Sequence, residues 1–223
     1  MAEERGHSDE DLRKAASDSL RQGEAVRERV RELTLNALTS RRFDREAIRE
    51  TVRAVTEGVS LGAEGGSSAG STRHSVAEAF RGMDQALAKS VEAGQEAIHR
   101  LLDTGRGISE RELQQALAGL QKIEEDFVAT VSQVAETAGE RVAPELREAV
   151  GKATRAGTDT GRQVAAAMTE LTRTLAGTSL KVTLAGIEVA GEFGMRFAQI
   201  AGGVLSGMAA ALDKSSADAK KNP

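Results

Sequence analysis

Residues 182–212 read VTLAGIEVAGEFGMRFAQIAGGVLSGMAAAL. On an α-helix, positions four apart form one ridge, and small side chains on that ridge let another backbone come close. In this stretch every fourth position is small, namely Gly186, Ala190, Gly194, Ala198, Gly202, Ser206 and Ala210. We therefore predict a Gly/Ala-rich C-terminal helix whose small-residue ridge packs closely against a partner.

An apolar stripe runs beside this ridge at helical spacing. The stripe consists of Phe193, Phe197, Ile200, Val204 and Met208. Its uncharged part, residues 197–212, is shorter than the ~20 residues that cross the hydrocarbon core of a membrane. Each glycine weakens a helix by about 1 kcal/mol relative to alanine. We therefore expect this helix to be stable only when it packs on protein or lies at an apolar surface.

The composition is typical of long helices rather than of a thick globular core. Only 2% of the 223 residues are aromatic, with no Trp or Tyr, and the chain contains two prolines. Ala, Leu, Val, Glu and Arg dominate, which favours uninterrupted helices. The predicted fold class is all-α, with elongated antiparallel amphipathic helices arranged as hairpins or a bundle.

Charge and cysteine content exclude several functions. The net charge is −4 with acids and bases interspersed, so no basic patch indicates nucleic-acid binding. The absence of cysteine excludes disulfides and thiolate metal sites. The charged N-terminal stretch has no apolar segment of the kind found in secretory signals. We expect a cytoplasmic protein, either free or peripheral to a membrane or granule.

The chain divides into four parts by composition. Residues 1–61 are predicted as an N-terminal helical hairpin, whose first helix runs from Ser8 to Leu38 and whose second begins at Asp44. Residues 62–72 read GAEGGSSAGST and are predicted as a flexible linker. Residues 73–212 are predicted as a helical bundle that includes the 182–212 helix, and 213–223 as a disordered tail.

Two capping boxes mark helix starts within the predicted bundle. The first, Ser75 with Glu78, predicts the start of the third helix. The second, Ser109 with Glu112, predicts the start of the fourth. The fourth helix carries a seam of residues seven apart, Leu113, Leu120, Phe127 and Val134. We expect this seam to pack against the third helix across the short loop between them.

No constellation of residues indicates catalysis or ligand binding. The histidines His7, His74 and His99 are far apart and are interpreted as surface residues. The acidic run at 124–126 is interpreted as a solvated helix face rather than a metal or acid–base site. We predict no enzyme activity, cofactor, metal or small-molecule substrate.

Two stretches resemble a known family: RELTLNALTSRRFDREAIRETVRAVTEGVSLG at 31–62 and GTDTGRQVA at 157–165. They are similar to an uncharacterised family of bacterial all-helical proteins, a resemblance that implies no particular activity. The size and the Ala-rich amphipathic helices are also similar to phasins, the proteins that coat polyhydroxyalkanoate granules. That second resemblance is compositional and transfers no functional residue.

Three functions fit these observations. The first is a non-catalytic scaffold or coat protein that self-associates and binds a lipid or polymer surface through amphipathic helices. The second is a soluble, oligomeric helical-bundle adaptor in which the 182–212 helix is buried by its own bundle or by a second copy. The third is an oligomer that inserts into membranes through contacts between its C-terminal ridges.

Overall fold

A computed structural model describes residues 8–41, 44–65, 69–103, 110–176, 201 and 203–206. Between residues 8 and 176 the described chain forms seven helices, and no strand occurs in any described range, so the all-α prediction is confirmed. The helices are α1 (Asp9–Gln22), α2 (Val26–Ser40), α3 (Arg45–Glu64), α4 (Ala69–Asp103), α5 (Glu110–Thr137), α6 (Ala143–Ala156) and α7 (Asp159–Ala176).

Local caps account for several helix ends. The Ser8 side chain accepts a hydrogen bond from the Asp11 N–H, and the Asp11 side chain closes the capping box that begins α1. Asp44 caps α3 by accepting from the Ala47 N–H at 2.9 Å. A proline lies in the first turn of α6, where its missing N–H costs no helical bond.

The predicted first helix is interrupted. Gly23 has a φ of 73° and ends α1 in the left-handed region, where glycine is favoured. Ala25, with a φ of 49°, then begins α2 without a side-chain cap. One predicted helix is therefore two helices, and each packs on a different partner.

The predicted linker is mostly helical. Helix α3 extends through Gly62 to Glu64, and α4 begins at Ala69. Ser75 therefore lies inside α4 rather than at its start, and it is 9% exposed. At the start of this stretch Gly62 packs closely on α1, since a Cβ there would lie 2.6 Å from the Ser17 carbonyl oxygen.

One apolar core joins the helices across the division predicted at residue 62. The cluster of buried residues extends from Ala16 in α1 to Leu205 near the C-terminus. Helix α1 packs mainly on α3, α2 on α4, and α7 on α4. The predicted seam of α5 is fully or almost fully buried, at Leu113, Leu120, Phe127 and Val134. However, α5 packs more on α3 and α6 than on α4.

Glycines set the spacing of two helix pairs. A Cβ placed on Gly58 of α3 would lie 2.2 Å from the Arg13 carbonyl oxygen of α1. A Cβ on Gly62 would lie 2.6 Å from the Ser17 carbonyl oxygen, one turn further along the same pair. On Gly82 of α4, it would lie 2.4 Å from the Arg27 carbonyl oxygen of α2. The backbones therefore approach too closely for any other residue at these positions.

Little of the predicted C-terminal helix falls within the described residues. Position 201 and positions 203–206 are helical, and Ala201 and Leu205 are fully buried in the common core. The remainder of 182–212, the tail and the Ser109 capping box lie outside the described residues. In the described ranges, no helix has the length and apolarity needed to cross a bilayer.

Candidate functional site

The structure describes one residue from each of the two predicted contact surfaces, the small-residue ridge and the apolar stripe. Ser206 of the small-residue ridge is half-buried, and Val204 of the apolar stripe is half-buried against the core. The core-facing positions are their neighbours Ala201 and Leu205. The other predicted contact residues lie outside the described ranges, so their part in packing stays a prediction.

The most developed polar site lies where α7 begins against α4. Its centre is Asp84, a carboxylate of α4 that is only 7% exposed. The Asp159 N–H donates to Asp84 Oδ2 at 2.7 Å, and the Thr160 N–H donates to Asp84 Oδ1 at 2.9 Å. The Thr160 hydroxyl also lies 2.7 Å from Asp84 Oδ1. Asp84 thus caps a helix that lies 75 residues away in sequence, and we name these three residues the clasp.

A second carboxylate supports the same helix start. Thr158 is fixed from both sides, because its hydroxyl donates to Glu124 Oε1 at 2.6 Å and its Oγ1 accepts from the Gly161 N–H at 2.7 Å. Gly161 is small enough to let the Glu124 carboxylate approach, since a Cβ there would lie 2.3 Å from Oε1. Helix α7 is therefore docked on α4 and α5 through its first turn.

Burial governs the protonation of the clasp. Removal of Asp84 from water raises the pKa of its carboxyl above the ordinary value. The hydrogen bonds from the Thr160 and Asp159 N–H groups and from the Thr160 hydroxyl favour the charged form and offset part of this rise. A raised pKa can accompany catalysis, but here the carboxylate oxygens are occupied by the first turn of a helix, which indicates a structural role.

The acidic run at 124–126 is not the solvated face that its sequence suggests. Glu124 holds Thr158, and Asp126 is 7% exposed and binds Arg45 of α3 through two hydrogen bonds, one of them 2.7 Å long. Glu125 alone is exposed, where it pairs with Lys122 at 2.5 Å. Two of the three acids therefore connect α5 to other helices. Across the described part of the chain, no group of three His, Asp or Glu residues is arranged to hold a metal.

Sequence reasoning missed the clasp and the glycine contacts for different reasons. Gly58 and Gly62 form a G-x-x-x-G pattern, a signal of close helix packing that was available in the sequence. Asp84 has no such local signal, because its partners become neighbours only when α7 folds back on α4. Thr158 does carry a local signal, because threonine is favoured at the residue before a helix and its Oγ1 accepts from the Gly161 N–H in the first turn of α7.

These features define an all-helical bundle protein with a buried polar clasp between two of its helices. A model of a family of unknown function, DUF6781, matches residues 2–214, so the chain belongs to that family. The predicted resemblance to an uncharacterised family is thereby confirmed, whereas no link to phasins is shown. The chain matches no curated protein and no solved structure.

Proposed function

We propose that this protein is a non-catalytic helical-bundle scaffold that self-associates through its C-terminal stretch, residues 182–212. The described surface supports this, because Leu61, at 49%, is the only large hydrophobic side chain of the described residues that is substantially exposed. The amphipathic stripes of α1 to α7 are used in the common core. They leave the described helices without an apolar face for a partner.

The proposal rests on the difference between the two sides of the C-terminal segment, one of which is buried and the other exposed. Ala201 and Leu205 are fully buried on the bundle, whereas Gly203 is exposed and has no neighbouring atom within 4 Å of a built Cβ. In a helix these positions lie on opposite sides. A helix that docks on its own bundle and presents a glycine outward suits close approach by the same segment of a second copy.

Light scattering of the full chain after size-exclusion chromatography tests this proposal. We expect the wild type to be a dimer or larger oligomer. Gly203→Glu should shift it towards the monomer, because a charged side chain would keep the second helix away. Gly70→Glu is the matched control, since Gly70 is also exposed with no neighbour within 4 Å. A wild type that is monomeric, or an unchanged oligomer in Gly203→Glu, would contradict the proposal.

The sequence also favours a second candidate, a phasin-like coat on a lipid or polymer surface. It rests on the apolar stripe that includes Phe197 and Val204, and on the compositional similarity to phasins. Flotation with anionic vesicles distinguishes the two candidates. A coat protein should float with the vesicles, and Phe197→Ser should weaken its binding while Leu61→Ser leaves it unchanged. Absence of flotation would exclude lipid binding, and the same assay with polyhydroxyalkanoate granules tests the polymer surface.

A further inference from the structure

A pocket of about 570 Å³ lies between α2, α4 and α7, beside the clasp. This volume is within the range of small-molecule sites, about 300–1,000 Å³. Each of the three helices contributes one cation to the lining: Arg31 from α2, Lys89 from α4 and Arg162 from α7. The pocket therefore gathers positive charge from separate parts of the sequence.

Two of these cations are neutralised within their own helices. Lys89 Nζ lies 2.6 Å from a Glu92 carboxylate oxygen, and Arg162 pairs with Asp159. Both acids also line the pocket. Arg31 differs, because it forms no ion pair within the described residues and its Nε is buried without a hydrogen-bond partner. The lining thus contains three cations and two acids, and Arg31 is the cation that pairs with no carboxylate of the described residues.

We propose that this pocket binds a small molecule bearing a carboxylate or phosphate group, with Arg31 as the principal contact. A guanidinium stays charged at all physiological pH values and forms paired hydrogen bonds to both oxyanions. An oxyanion in the pocket would supply the counter-charge that Arg31 lacks, and Lys89 and Arg162 would flank it. The Gln85 and Gln163 side chains, which also line the pocket, offer amide donors. The proposal is independent of self-association.

Titration of the full chain with inorganic phosphate and, separately, with succinate tests the proposal. The melting temperature and the backbone NMR shifts should change saturably with at least one of these ions, but not with sodium chloride at equal ionic strength. Shifts should concentrate at Ala88 and Ala166 in the pocket wall. A response to phosphate alone would identify a phosphate ligand, and a response to succinate alone would identify a carboxylate ligand.

Arg31→Gln should weaken binding about tenfold or more, the effect of losing a charge-assisted hydrogen bond. Its folding should be unimpaired, because the substitution removes a partly buried cation that has no partner. Lys89→Gln should also weaken binding and provides a second variant. Arg53→Gln removes an exposed arginine of α3 outside the pocket and should bind as the wild type does. Absence of a saturable response to both ions, or equal binding by Arg31→Gln and wild type, would overturn the proposal.

Discussion

Two helix contacts in this bundle are held by opposite means. Helices α1 and α3 meet backbone to backbone, because Gly58 and Gly62 leave no side chain between them. Helices α4 and α7 meet through the clasp, in which a buried carboxylate accepts hydrogen bonds from the first turn of α7. The first contact depends on the absence of atoms, and the second on the presence of one polar group.

This difference predicts different sensitivities to mutation. A contact made by backbone approach should tolerate no added atom, since a helix backbone can yield only by moving as a whole. A contact made by hydrogen bonds should tolerate small changes in volume but not the loss of its acceptor.

The largest effect is expected for Gly58→Ala. The new Cβ would lie 2.2 Å from the Arg13 carbonyl oxygen and 2.7 Å from the Ala16 Cβ. Relief of this overlap requires α1 to separate from α3, so we expect a loss of about 3 kcal/mol in the free energy of unfolding. Urea unfolding followed by circular dichroism measures the change.

Gly119→Ala is the matched control for this prediction. Gly119 lies within α5 and has no atom within 4 Å of a built Cβ. The same substitution should stabilise the protein there by about 0.5–1 kcal/mol, because alanine favours the helix. Similar stabilisation by both variants would show that α1 and α3 are not in close contact.

The second prediction concerns Asp84→Ala. It leaves the Asp159 and Thr160 N–H groups without their acceptor, whereas the Thr160 hydroxyl keeps the backbone carbonyl oxygen of residue 84, 3.0 Å away, as an acceptor. We therefore expect a loss of about 2 kcal/mol in the free energy of unfolding. Hydrogen exchange should accelerate at Asp159 and Thr160 while the α1–α3 contact stays protected. Glu125→Ala, which removes an exposed acid, should cost less than about 0.5 kcal/mol. Unchanged exchange at the start of α7 would argue against the clasp.

The sequence reveals these two contacts to different degrees. The helix starts at Ser8 and Asp44 are predictable from the sequence, because a cap and its helix are neighbours in the chain. The burial of Leu113 and Phe127 followed from periodicity for the same reason. Gly62, by contrast, lies in a Gly/Ser-rich stretch typical of a linker, and its four-residue spacing from Gly58 is what indicates a helix contact.

Long-range contacts explain the remaining differences. Asp84 and α7 lie 75 residues apart, and no local pattern shows that an acid in mid-helix will cap another helix. The burial of Asp126 has no local signal for the same reason, since its partner Arg45 lies in α3, 81 residues away in sequence. The interruption between α1 and α2 differs, because Gly23 is a local signal for a helix end. Ala25 offers no such signal, since alanine rarely adopts the left-handed conformation found there. Partners that are distant in sequence therefore limit what sequence patterns can predict.

The third prediction is that the free energy of unfolding depends on pH through the ionisation of Asp84. Because burial raises the pKa of this carboxyl in the folded state, the folded protein binds its proton more tightly than the unfolded chain does. The stability that protonation of Asp84 adds is therefore full below the unfolded pKa of about 3.9 and is lost as pH rises through the folded pKa. Asp84→Asn provides the reference that does not titrate.

The other carboxylates are the same in the wild type and in Asp84→Asn. Their contribution to the pH dependence therefore cancels when the free energies of unfolding of the two proteins are subtracted. Relative to Asp84→Asn, the wild type should lose stability as the pH increases from about 4 towards neutrality. Urea unfolding at a series of pH values measures this difference. A flat profile, or one of opposite slope, would indicate that the hydrogen bonds of the clasp outweigh its burial.

The smallest effect is expected for Gly161→Ala, although its clash distance resembles that at Gly58. The new Cβ would lie 2.3 Å from Glu124 Oε1, but this obstacle is the end of a flexible side chain. Glu124 can move away and lose its bond to Thr158, at a cost of about 1 kcal/mol. The helix gains up to about 1 kcal/mol from alanine, so the net change should be close to zero.

A double variant separates the cost of losing the Glu124–Thr158 hydrogen bond from the gain in helix stability. In a Glu124→Ala background the obstacle and the hydrogen bond are both absent, so Gly161→Ala should then be stabilising by several tenths of a kcal/mol or more. The same background should not relieve Gly58→Ala, whose obstacle is the α1 backbone. If Gly161→Ala is as damaging as Gly58→Ala in the wild type, the start of α7 is also held by a rigid approach, and the distinction between the two contacts fails.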